Sequence, residues 1–173
     1  MSLKGKRILI LVDEGYEDLE FWYPRMRLIE EGADVVTAGK EKRLYPSKHG
    51  YEAEVDVEVS KVDPSEFDAL IIPGGVRCPD RLRRYREVLE LVKDMNRRGK
   101  IIASICHGPW VLISAGILKG RKATSYFSIK DDMVNAGVNY VDSPVIVDGN
   151  LVTSREPGDL PDFCKAIIQL LRR

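Results

Sequence analysis

The stretch KIIASICHGPW, residues 100–110, runs from a β-branched apolar segment straight into Gly-Pro with no room for a loop. KIIASI (100–105) has the continuous apolar character of a strand buried on both faces. Gly108 eases a tight turn, and Pro109 suits the first position of a helix, because its missing N–H is not needed there. The apolar segment HGPWVLISAGIL then reads as a short helix. Strand, turn and helix in immediate succession mark a βα unit, and the same grammar recurs upstream. RILILV (7–12), DVVTA (34–38) and DALIIP (68–73) are buried strands. LEFWYPRMRLIEEG reads as a helix stopped by Gly32, and YREVLELVKDMNRRG (85–99) as an amphipathic helix stopped by Gly99. Alternation of this kind predicts an α/β sandwich, a mostly parallel sheet with helices on both faces.

Within the first helix, Leu19, Trp22, Tyr23, Met26 and Ile29 form an apolar stripe, with Glu20, Arg27, Glu30 and Glu31 off it. Pro24 interrupts the pattern and is expected to bend the helix or loosen its first turn. Residues 39–60 break the alternation. Gly39, Pro46 and Gly50 punctuate them, and YEAEVDVEV has the period of a half-exposed strand, so a β-hairpin excursion is expected. The last third reads as a helix near 128–136, strands at about 138–142 and 144–147, a turn at Gly149 with LVTS (151–154), and a helix from about 159. No repeat or linker divides residues 1–173, and one domain is expected.

Lys and Arg together number 27, as do Asp and Glu, so net charge gives no reason to expect nucleic acid or an anionic membrane as partner. No apolar run approaches a membrane span, and MSLKGK is too short and polar for a signal peptide, which points to the cytoplasm. Cys78, Cys106 and Cys164 lack metal-type spacing, there are only two histidines and there is no CxxC, so reduced thiols and no metal are expected. Arg77, Arg81, Arg83, Arg84 and Arg86 read as a solvated helix face or an oligomer contact.

In a parallel sheet, ligands gather beyond the carboxyl ends of the strands. Segments 13–20, 73–80, 105–109, 124–128 and 154–160 should therefore share one rim. Cys106 stands there on a turn with the logic of a nucleophile elbow, where a helix N-terminus favours thiolate over thiol. The N–H of His107, and one from the Gly74-Gly75 turn, are placed to hold an oxyanion. Cys164 reads as a buried hydrophobe on the terminal helix, and Cys78 as incidental in a loop beside Pro79. Most of the acids at 13–20 are explained by the helix dipole. Glu20 is the candidate whose side chain leans back toward the strand ends, where a carboxyl kept protonated beside sulfur could donate to it. Glu17 is the second candidate.

SICHGPWVLISAGILKGRKATSY (104–126) closely resembles the DJ-1/PfpI superfamily, in particular its PfpI-like branch of intracellular proteases and deglycases. GYEDLEFWYPRMRLIEEG, KHGY (48–51), FDALIIPGG, IKDDMVNAGVNYVD and VIVDGNLVTSREPGDL follow in family order. The resemblance implies a flavodoxin-like fold, Cys106 as nucleophile bonded to Glu20, and an oxyanion hole from the amides of Gly75 and His107. It also implies pocket roles for Glu17 and Tyr126. Asp80, where well-known members carry Glu, is implied to pair with His107 from a neighbouring subunit, which would make the chain a homo-oligomer, a dimer or hexamer. Glutamine amidotransferases share the elbow but need a late histidine, and none follows His107.

The expected activity is that of a cysteine-dependent enzyme working without a cofactor on carbonyl adducts derived from methylglyoxal or glyoxal. A peptidase on the same site is the enzymatic alternative. A redox-sensing stress protein or chaperone, acting through oxidation of Cys106, is the alternative of another class.

Overall fold

The computed structural model describes residues 2–173. In chain order the elements are β1 (Arg7–Leu11), α1 (Asp18–Glu30), β2 (Asp34–Gly39), β3 (Leu44–Pro46), β4 (Glu52–Glu54), β5 (Val57–Glu58), β6 (Ala69–Ile72), α2 (Arg77–Leu82) and α3 (Arg86–Arg97). They continue with β7 (Ile101–Ile105), α4 (Pro109–Ser114), β8 (Lys122–Ala123), α5 (Lys130–Asn135), β9 (Asn139–Tyr140), β10 (Val145–Asp148), β11 (Leu151–Ser154) and α6 (Leu160–Leu171).

Seven strands form the main sheet in the order β10-β11-β7-β6-β1-β2-β5. All neighbours run parallel except the edge strand β10, which is antiparallel to β11. Buried apolar residues fill the central strands because helices cover both faces: Ile8, Leu9, Ile10 and Leu11 of β1, and Leu70, Ile71 and Ile72 of β6, are sealed from solvent. The helix α1 packs beside α6, whereas α2 and α3 pack beside α4. The fold is the α/β sandwich that the alternation implied, with the flavodoxin-like arrangement that the family resemblance implied. The chain leaves β1 toward β2 and then crosses back to place β6 on its other side. The crevice at that reversal, beyond the carboxyl ends of β1 and β6, is where such sheets bind ligands. The expected excursion is also present, with β3 and β4 pairing antiparallel in a small sheet of their own.

Two expectations fail in instructive ways. The apolar stripe of α1 is not its buried face. Leu19, Tyr23, Met26 and Ile29 are exposed, while Glu20, Phe21, Pro24 and Leu28 face inward. A carboxyl group is drawn inside by the partners it meets at the strand ends, and that choice rotates the rest of the helix. The helix also runs on through Pro24, which forfeits only the hydrogen bond the carbonyl of Glu20 would have accepted. The second failure concerns Cys78 and Pro79, which lie in α2 rather than in a loop, with Cys78 sealed from solvent. A proline in the first turn of a helix loses no hydrogen bond, so it was no evidence against one. Two arginines of the local cluster are also more than a solvated face. Arg81 donates to the buried carboxylate of Asp13 at 2.6 Å and Arg77 to Glu14 at 2.7 Å, tying α2 to the end of β1.

Because Leu28 is wholly buried, Leu28→Ala should cost about 2–5 kcal/mol of stability. Urea denaturation checks this; an unchanged midpoint would mean that α1 buries its other face.

Candidate active site

Cys106 is the only non-glycine residue with positive φ among the described residues, at 63°. Its N–H donates to the carbonyl of Ser154 (3.1 Å), and its carbonyl accepts from the N–H of Tyr126 (2.9 Å), so neighbouring segments clamp the turn on both sides. Gly108 is required by space: a Cβ there would run into the hydroxyl of Ser104 and the carbonyl of Ile72. Gly74 is required in the same way, since its Cβ would fall between the carboxyl of Glu20 and Cβ of Cys106. The elbow is thus packed too closely to admit another side chain, and the thiol is nearly buried.

Glu20 is the third residue of α1 and is sealed from solvent. Its Oε2 accepts the N–H of Gly74 at 2.7 Å, and the carboxyl interacts directly with the Cys106 thiol. Burial, reinforced by the nearby charge of Glu17, raises its pKa to about 8. Glu17 has a structural duty as well. It caps α1, its carboxylate accepting the N–H of Glu20 at 3.1 Å.

The thiol departs from expectation. Burial, and after it the facing charge of Glu20, push the Cys106 pKa upward against the N–H groups of His107 and Gly75, which point at the sulfur and pull it down. The upward causes win, because a helix of six residues and two amides do not replace the water lost on burial. Glu20 and Cys106 also compete for a single negative charge. With Glu20 protonated its charge vanishes and its O–H becomes a donor to sulfur, so the acid stabilises a thiolate only while it keeps its own proton.

His107 supplies a base. Its Nδ1 lies 3.2 Å from Sγ and its Nε2 lies 3.2 Å from the hydroxyl of Ser128. The ring stacks on Tyr126 (centroids 5.1 Å apart, planes at 29°) and meets Trp110 edge-on. Desolvation lowers its pKa, followed by the charge of Lys48, so the ring is neutral at pH 7. A neutral imidazole beside a protonated thiol is equipped to take its proton.

These groups open on a cleft of about 770 Å³. Its walls come from all five segments expected on the rim, and they include Glu17, Glu20, Gly75, Cys106, His107 and Tyr126. Asp80 is not among them. It sits in α2 with its carboxylate accepting from Arg84, two residues past the end of that helix, at 2.6 Å. Missing from the sequence reading were Pro46, Ser47 and Lys48 of the hairpin, which form a further wall, and Ser128. The hairpin reaches the cleft because Gly15 donates to the carbonyl of Pro46 and Lys48 to that of Tyr16, contacts with no signature in one dimension. At the edge of the cleft, Glu17, Asp18 and His49 bring ligand-type atoms close together, but His49 already bonds Asp18 at 2.8 Å.

An elbow cysteine with a proton-holding acid and a neutral histidine, at the switch point of a parallel sheet, is the arrangement of an α/β protein equipped for thiol chemistry. The DJ-1/PfpI family model matches residues 6–170, and the chain belongs to that family. A deglycase of Pyrococcus abyssi is 51% identical over 166 residues, 96% of this chain and 99% of that protein. Deglycase PfpI of Pyrococcus furiosus is 50% identical over the same shares. Among solved structures, a two-domain protein of Anabaena variabilis with DJ-1/ThiJ/PfpI-like and ferritin-like domains superposes with a TM-score of 0.94 at 42% identity. The match covers 96% of this chain and 48% of that protein, so the chain spans about half its length.

The raised pKa of Glu20 ties stability to pH. Between 4.5 and about 8 the unfolded chain releases this proton while the folded chain keeps it, so the unfolded state binds fewer protons. Stability from this group is therefore full below 4.5 and declines as pH rises to about 8, by no more than ~1.4 kcal/mol per unit. Glu20→Gln, which is neutral throughout, should flatten that slope in urea titrations from pH 5 to 8.5. Parallel curves for the two proteins would contradict the assignment.

Proposed function

We propose that this chain acts on adducts formed by methylglyoxal or glyoxal with thiols and amines, through nucleophilic attack by Cys106. The chain is a cysteine-dependent enzyme of the DJ-1/PfpI deglycase type: relatives half identical to it over nearly their whole length bear that name. The observation that carries the mechanism is the pairing of Sγ with Nδ1 of His107 at 3.2 Å, beside a Glu20 that keeps its proton. In the attack, a bond forms between Sγ and the carbonyl carbon of the adduct. The π pair of that C=O moves onto oxygen, and the thiol proton passes to Nδ1 of His107. The N–H groups of Gly75 and His107 already face the sulfur, so an oxyanion growing one bond away lies within their field. Glu20, still protonated, supports whatever negative charge remains on sulfur.

The cleft suits small adducts, because the sulfur is nearly buried and approachable only from the rim. Among the described residues no helix is long and apolar enough to cross a membrane. A cytoplasmic location belongs to this proposal and is supported by three unpaired cysteines.

The test is release of free thiol from methylglyoxal-modified N-acetylcysteine by the purified chain. Cys106→Ser should reduce it to the uncatalysed rate while circular dichroism stays unchanged. Release that survives the substitution, or that appears only with fluorogenic peptides as substrate, would remove this reading.

A further inference from the structure

His107 must present a bare Nδ1 to the thiol, and an imidazole does so only if its proton is held on Nε2. The tautomer is set by whatever Nε2 meets. Carboxylates are the familiar partners, yet among the described residues none of this chain's carboxylates bonds Nε2. Asp132 is the acid whose charge His107 feels, but its Oδ2 accepts the indole N–H of Trp110 at 2.9 Å. Asp80 is held by Arg84. Among the described residues, the one polar atom within hydrogen-bond reach of Nε2 is the hydroxyl of Ser128, at 3.2 Å.

We propose that Ser128 is a positioning residue for the nucleophile, its Oγ accepting the Nε2–H of His107 and so leaving Nδ1 bare toward Cys106. The placement is built into the chain. Tyr126 donates its N–H to the carbonyl of Cys106, and its ring stacks on the imidazole. A single 3-10 turn, Phe127–Ile129, then brings Ser128 to the far nitrogen. One short segment thus fixes the ring plane with Tyr126 and the ring proton with Ser128. When Nδ1 takes the thiol proton the imidazole becomes a cation, and the bond from Nε2–H to Oγ strengthens. A hydroxyl serves here without bringing a second negative charge near Glu20 and the sulfur, where a carboxylate would oppose thiolate formation.

The inference rests on the reading of Cys106 and His107 as nucleophile and base, and its test needs no deglycase substrate. In the full chain labelled with ¹⁵N-histidine, with His49→Gln assigning the second ring, His107 should appear as the Nε2–H tautomer at pH 7. Ser128→Ala should mix the tautomers and slow alkylation of Cys106 by iodoacetamide at pH 7 about tenfold, the loss expected for a hydrogen bond to a charged group. Ser128→Thr, which keeps the hydroxyl, should restore both signals. An Nδ1–H tautomer in the wild type, an alkylation rate indifferent to Ser128→Ala, or a threonine variant no better than alanine would each overturn the proposal. So would a tautomer that shifts with Asp80→Asn and not with Ser128→Ala. Failure of deglycation with these signals intact would instead count against the substrate alone.

Discussion

An L residue held at positive φ is disfavoured by roughly 1–2 kcal/mol, so Cys106 keeps its conformation only because its surroundings allow no other. Both of its backbone polar groups are engaged, one by the end of β11 and one by the segment carrying Tyr126. Gly74 presses on it directly, and Gly108 packs against Ser104 and Ile72 beside the turn, neither with room for a Cβ. The reward is a sulfur aimed into the crevice of the sheet, with the amides of Gly75 and His107 turned toward it. Much else at this end of the molecule follows from that demand: the glycine pair after β6, the proline opening α4, and the inward rotation of α1 that delivers Glu20.

Proton bookkeeping explains why an acid and a base flank one thiol. A sulfur pushed upward by burial would be inert without help, and two different kinds of help are present. In the proposed mechanism Glu20 lowers the energy of a thiolate by hydrogen bonding, a role that burial suits by keeping its own proton in place near neutral pH. In that mechanism His107 removes the proton, a role that its burial suits by keeping the ring neutral. The same desolvation that disables the thiol therefore tunes both partners.

Much of this was legible in the sequence, because its causes are local. Apolar runs, glycine stops and the Cys-His-Gly-Pro turn each encode their own geometry, and parallel-sheet topology then places the five rim segments together. What was not legible depends on contacts made at a distance. The face that α1 buries is decided by where Glu20 finds the N–H of Gly74, 54 residues away. The helix at Arg77–Leu82 was hidden behind a proline whose effect depends on its place in the turn. Burial of the thiol, unlike the helix terminus beneath it, has no signature along the chain, so the direction of its pKa was misjudged. Ser128 was placed on the rim with segment 124–128, but nothing in the sequence pointed to its hydroxyl meeting the imidazole of His107.

The hairpin of β3 and β4 pairs with no strand of the main sheet, yet its Pro46, Ser47 and Lys48 wall the cleft opposite the nucleophile. Main-chain hydrogen bonds to Gly15 and Tyr16, which tolerate changes of side chain, help hold it there beside side-chain bonds such as Ser47 to Asp18 and Arg43 to Glu14. Because the hairpin is a sheet of its own, substitutions at its tip can rewrite the mouth of the cleft, its charge, width or reach, without passing through the strained residue at its base. In descendants of this fold, reactivity and appetite are free to evolve on separate timetables.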